Sequence, residues 1–100
     1  MENKGKKNDE GKAMMGLIPL SLLQGVARVY EYGLKKYGLN NWTRFESNEE
    51  ERRRFTSALL RHLSEYQTDS NSIDEESGLP HADHIAWNAI MLIYLKENGE

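Results

Sequence analysis

The segment "DEESGLPHADH", residues 74–84, sets Asp74, Glu75, Glu76 and Asp83 beside His81 and His84, just before the longest apolar run of the chain. His81, His84 and Asn88 recur at i, i+3 and i+7, so on a helix they share one face. Asn88 falls inside the apolar run, where an amide left unpaired costs ~1–3 kcal/mol, and His84 one turn earlier is its nearest candidate partner. A third histidine, His62, lies in a separate apolar stripe, "ALLRHL" (58–63). Antiparallel packing of the two stripes would bring His62, His81 and His84 together with Asp74 and Glu76. Mixed imidazole and carboxylate donors suit zinc, manganese, iron or nickel, whereas carboxylates with water suit magnesium. An ion held there would polarise a phosphoryl oxygen or generate hydroxide from water. The plainer account of the same residues is a helix start with a satisfied polar pair and a core histidine bonded to backbone or carboxylate. Two familiar metal patterns fit poorly. Asp83-His84 reverses the His-Asp dipeptide of the HD phosphohydrolases, and "HADH" lacks the spacing and the internal glutamate of His-Glu-x-x-His.

A second cluster is "YGLKKYGLNNWTR" (32–44). Lys35, Lys36 and Arg44 can bind phosphate. Tyr37 and Trp42 offer flat faces to a base, and Asn40 and Asn41 can hydrogen-bond a base edge or a ribose. The competing account is a helix end with an apolar plug, its lysines complementing the helix dipole.

These groups need elements to position them, and the pattern predicts helices throughout. The first runs from Pro19 or Leu20 to Tyr37, with Leu23, Val26, Ala27, Tyr30, Leu34 and Tyr37 at helical spacing and Gly38 in the position that ends it. Ser47 or Asn48 caps a second, with Glu49, Glu50 and Glu51 in its first turn and Phe55, Leu59, Leu63 and Tyr66 as its stripe. Residues 67–78 break the periodicity and read as loop. The third runs from near Pro80 to near Asn98, and its "IAWNAIMLIYL" is apolar on nearly every side. A helix of that kind belongs inside a larger core. The fold class expected is therefore all-α, a small three-to-four-helix bundle completed by oligomerisation, as a dimer, tetramer or hexamer.

One hundred residues suffice for one small domain. Residues 1–14 are expected to form a flexible arm and residues 15–100 a single helical domain, because the polar start "MENKGKKNDEGK" cannot order itself alone. There is no cysteine, so disulfides and thiolate metal sites are excluded. A net charge of −3 gives no reason to expect direct nucleic-acid binding. No apolar run reaches the ~20 residues of a membrane span, and a cytoplasmic location is expected.

In order along the chain, "DEGK" (9–12), "LIP" (17–19), "VYEYGLKKYGLNNW" (29–42), "ALLRHL" (58–63) and "DEESGLPHADHIAWNAI" (74–90) resemble a phage and bacterial family, the N-terminal domain of dATP/dGTP diphosphohydrolase. The resemblance covers about residues 6–95. It implies an all-α fold related to the MazG-like nucleotide pyrophosphohydrolases, helical oligomers that use divalent metal to split a nucleoside triphosphate into monophosphate and pyrophosphate. Carried over by position, Lys12, Lys36, Tyr37, Asn41, Trp42 and Arg61 would hold the nucleotide. Asp74, Glu76, His81 and His84 would hold Mg²⁺ or Mn²⁺, and Glu76, His81 and His62 would act in catalysis.

The chain also departs from the family pattern. "SEYQTDSNS" (64–72) stands where members carry Gly-Glu, the MazG acidic helical pairs are not visible, and Asp83 replaces a small or apolar residue. The expected activity is hydrolysis of dATP or dGTP. The alternative, favoured by those departures, is a non-catalytic sponge that sequesters a nucleotide or a cyclic nucleotide immune signal as an anti-defence protein.

Overall fold

The computed structural model describes residues 10–44 and 48–99. Three helices carry the fold: α1 (Gln24–Tyr37), α2 (Glu49–Thr68) and α3 (His81–Gly99). Short 3₁₀ turns cover Met15–Leu17, Leu20–Leu23 and Asn41–Arg44. No strand occurs among the described residues, and a single bridge pair joins Ile73 to Pro80 across the loop before α3. The all-α small bundle expected from the sequence is what the chain forms.

The helix ends follow local chemistry. Asn48 caps α2, its side chain accepting the Glu51 N–H at 2.8 Å. Ser47, the other candidate cap, lies outside the described residues. Gly38 closes α1 with φ 104°, a backbone shape that glycine adopts without strain, and donates its N–H to the Leu34 carbonyl at 2.9 Å. Pro19 opens a 3₁₀ turn rather than an α-turn, so α1 proper starts five residues later than the proline.

Helix α3 is the centre of the bundle. His62 of α2 meets His81 and His84, while Phe55, two turns earlier, meets Trp87, so α2 and α3 run antiparallel. On the other side Gly25 abuts Asp83, Tyr30 meets Trp87 and Trp42 meets Tyr94, so α1 runs parallel to α3. Gly25 leaves room for this contact, because a Cβ there would displace the Asp83 carboxylate. The core is Phe55, Met91 and Leu95, ringed by Tyr30, Trp42, Trp87 and Tyr94, with Val26 and Val29 buried on α1. Phe55 and the four surrounding rings pack in pairs, edge to face or tilted, at 5.1–6.0 Å, the arrangement their quadrupoles favour.

The expected α1 stripe is only partly right. Val26 and Tyr30 face inward, joined by Val29, but Ala27, Leu34 and Tyr37 are exposed. The reason is geometric: α1 packs mainly on α3, and one neighbour buries only a narrow strip. On α2, Phe55 is buried and Leu59 and Leu63 half-buried, while Tyr66 lies outside.

Candidate functional site

Because α1 and α2 both lean on α3, a groove of about 890 Å³ opens between them. Val29, Tyr32, Gly33 and Tyr37 line it from α1, and Arg53, Arg54, Ala58 and Arg61 from α2. Trp87, Asn88 and His84 of α3 form its floor, and His62 joins them. Arg53 pairs with Glu49 and Arg54 with Glu51, both within α2. Arg61 makes no ion pair among the described residues, so its guanidinium is the one on this wall not already matched by a carboxylate. The indole Nε1 of Trp87 is buried without a hydrogen-bond partner among the described residues, and the desolvation of such a donor costs ~1–3 kcal/mol.

The three histidines converge beside the groove. His62 Nδ1 lies 2.7 Å from His81 Nδ1, and the His62 ring stacks on His84 at 4.5 Å with the planes 8° apart. At that Nδ1–Nδ1 distance one ring must donate and the other accept, so only one of the two atoms carries a hydrogen. Burial pushes the His62 imidazolium down to about 4, and the neighbouring His84 and His81 push the same way. Burial lowers His84 as well. His62 is therefore a neutral ring at physiological pH, with one donor and one acceptor nitrogen.

Asp74 is placed by its own turn. The Ser77 N–H donates to its Oδ2 at 2.9 Å, and Gly78 N–H donates to its carbonyl at 2.8 Å, with Gly78 at φ 75° making the bend possible. Burial raises the Asp74 carboxyl, but the hydrogen bonds from Ser77 outweigh it and leave the group below the usual value. Ser77 Oγ also lies 2.7 Å from His84 Nε2, so one serine ties the acidic bend to α3.

The outcome for metal ligation differs from the sequence expectation. His62, Asp74 and His81 each bring one ligand atom within 4.8 Å of the others. His84 stays outside this set because its Nε2 is committed to Ser77 and its ring to stacking on His62. Glu76 also stays outside, since it pairs with Lys36 of α1. The Lys36 ammonium holds the Glu76 carboxyl below its usual range. Two imidazoles and a carboxylate are a chemically sound donor set for Mn²⁺ and its neighbours, more so than for Mg²⁺. An ion held there would take a lone pair from each ring, so the hydrogen shared by the two Nδ1 atoms would have to move to an Nε2.

The expected nucleotide residues separate. Tyr37 and Arg61 line the groove. Lys36 sits beside it, over the rings of Tyr32 and Tyr37 at 5.5 and 5.2 Å. Trp42 does not offer a free face there, because Tyr30 and Tyr94 pack against it in the core. Lys12 is exposed in the N-terminal segment, and the side chain of Asn41 lies outside the described residues. Asn88 is buried as expected, but its amide donates to the His84 backbone carbonyl at 2.8 Å rather than to the imidazole. Two contributors escaped the sequence reading. Ser77 had a signal, the Asp-x-x-Ser spacing that closes a side-chain turn; Trp87 had none, since an indole in an apolar helix reads simply as core.

A sequence profile of the family described as "dATP/dGTP diphosphohydrolase, N-terminal" matches residues 2–100. The chain belongs to that family. It is similar to a protein of Salmonella phage PMBT28 named dATP/dGTP diphosphohydrolase, with 37% identity over 94 residues. The aligned region is 94% of this chain and 30% of that relative, so the chain spans under a third of the relative's length. No solved structure matches. No helix among the described residues is long and apolar enough to cross a membrane.

Proposed function

We propose that this chain binds a purine deoxynucleoside triphosphate, dATP or dGTP, in the groove between α1 and α2. There it hydrolyses the nucleotide to monophosphate and pyrophosphate with a divalent metal ion. One juxtaposition carries the reading: Arg61, in no ion pair among the described residues, and the His62–Asp74–His81 set flank one groove of about 890 Å³. That volume falls in the range of small-ligand sites. The name of the phage relative supports the same substrate class.

In this reading Arg61 takes a phosphate in a bidentate contact, and Tyr32 and Tyr37 bound the base end. Lys36, next to both tyrosines, exchanges Glu76 for phosphate oxygen. His62, Asp74 and His81 hold the ion, and the low basicity of His62 keeps protons from competing at neutral pH. A bound Mn²⁺ would supply charge neutralisation on the phosphates and acidify an attending water. Ser77 keeps the Asp74 carboxylate aimed at the cluster. Water adds at the α-phosphorus as the bond to the bridging oxygen breaks, and pyrophosphate leaves with that oxygen.

A second reading, retention of a nucleotide or cyclic nucleotide signal without turnover, is favoured by one observation. Glu76 is occupied by Lys36, which leaves Asp74 as the single carboxylate in the candidate ligand set. The test is chromatography of dATP and dGTP after incubation with the chain and Mn²⁺. Monophosphate and pyrophosphate should appear, disappear in His81→Ala and Asp74→Asn, and form with a raised KM in Arg61→Ala. Unchanged nucleotide recovered from a stoichiometric complex would replace the hydrolase with the binding protein.

A further inference from the structure

We propose that the apolar segment spanning residues 14–23 is a pairing surface through which this chain docks against the same segment of a second copy. Met14, Met15, Leu17, Leu20 and Leu22 are each 69–76% exposed, and Ile18 and Leu23 are also open. Neither 3₁₀ turn of the segment buries a residue, and a Cβ placed on Gly16 would meet nothing within 4 Å. The large side chains of the segment are therefore left uncovered by the rest of the chain.

The area decides what such a surface is for. Weighted by their exposures, the seven side chains present on the order of 800 Å², the share one partner contributes to a standard stable interface. Patches on monomers seldom exceed a few hundred Å² without a partner. Composition then selects the partner. Residues 13–27 carry no charged side chain, so two copies can meet there without like-charge repulsion although each chain carries −3. A charged partner would find nothing to pair with.

A lipid surface fits less well. Gly16 and Pro19 divide the segment into turns of three and four residues, so its apolar side chains do not line one face of a helix as interfacial insertion requires. A two-fold pairing is self-complementary and closes at a dimer. Leu23 runs directly into α1, where Gly25 abuts Asp83, so pairing would brace the α1 wall of the groove.

Sedimentation equilibrium of the 100-residue chain across the micromolar range tests this. The wild type should dimerise, and the double variant Leu17→Glu/Leu20→Glu should raise the dissociation constant about 100-fold. Its helical circular dichroism should stay unchanged, because neither leucine is buried within its own chain. Ile93→Glu, on the open side of α3, should leave the dimer intact. A wild type that stays monomeric throughout, a double variant that pairs as tightly as wild type, or loss of the dimer in Ile93→Glu alone would each overturn the proposal. So would a chain that is monomeric in solution yet floats with phosphatidylserine vesicles.

Discussion

Mild acid should destabilise this domain through His62 and His84, and the effect can be sized. His62 is half-buried, stacked on His84 and hydrogen-bonded to His81, and its imidazolium is pushed down to about 4. An unfolded histidine titrates near 6.5. Between these values the unfolded chain binds a proton that the folded chain refuses. The stability tied to His62 is therefore complete above about pH 6.5 and is lost as the pH falls through the window toward about 4. At about pH 5, linkage sets the loss near 2 kcal/mol, and screening of a partly exposed ring reduces it to about 1 kcal/mol. His84, lowered in the same direction, adds to it. Asp74 adds little at about pH 5, because an unfolded aspartate titrates at about 3.9 and the folded carboxyl lies below its usual value. For a domain of this size about 1 kcal/mol lowers Tm by ~4–8 °C.

The assay is thermal unfolding followed by circular dichroism, in chelator at one protein concentration, at about pH 7.5 and about pH 5. His62→Gln keeps a hydrogen-bonding side chain but removes the titration, so most of the pH difference should vanish. A wild-type Tm that is equal or higher at the lower pH would refute the argument. So would a His62→Gln variant with the full wild-type difference.

Gly25→Ala should lower Tm: alanine gains at most ~1 kcal/mol in helix propensity, while overpacking against the Asp83 carboxylate costs about 1–3 kcal/mol. In an Asp83→Ala background the same change should raise Tm, and a rise in both backgrounds would show that the contact is not limiting. Met91→Ala empties a site that is 1% exposed and should cost about 2–5 kcal/mol by urea unfolding. A loss below about 1 kcal/mol would mean that the core closes over the gap.

Much of the secondary structure was legible because it depends on neighbours along the chain. Asn48 starts α2 and Gly38 ends α1 where their side-chain and backbone chemistry require. The i, i+3, i+7 placement of His81, His84 and Asn88 held, and all three are buried. The convergence of His62 with His81 and His84 was also readable, since two apolar stripes joined by one loop have few ways to pack. The failures lie one level higher. Trp42 looked like a base platform, yet Tyr30 and Tyr94 cover it, because an aromatic next to a helix end is drawn into any available core. Glu76 looked like a ligand, yet Lys36, 40 residues away in the chain, takes it.

By itself the sequence determined three helices, their caps, the absence of thiol chemistry and the membership of a family. Only the tertiary structure decided which donors share a site. The ligand atoms of His62, Asp74 and His81 lie within 4.8 Å of one another, whereas a slip of one helical turn moves a side chain by about 5.4 Å. An apolar stripe tolerates such a slip with little change in its pattern, so the stripe specifies that α2 meets α3 but not at which turn. The register comes from the summed packing of Phe55, Met91, Leu95 and the surrounding rings, and that sum exists only in the folded chain.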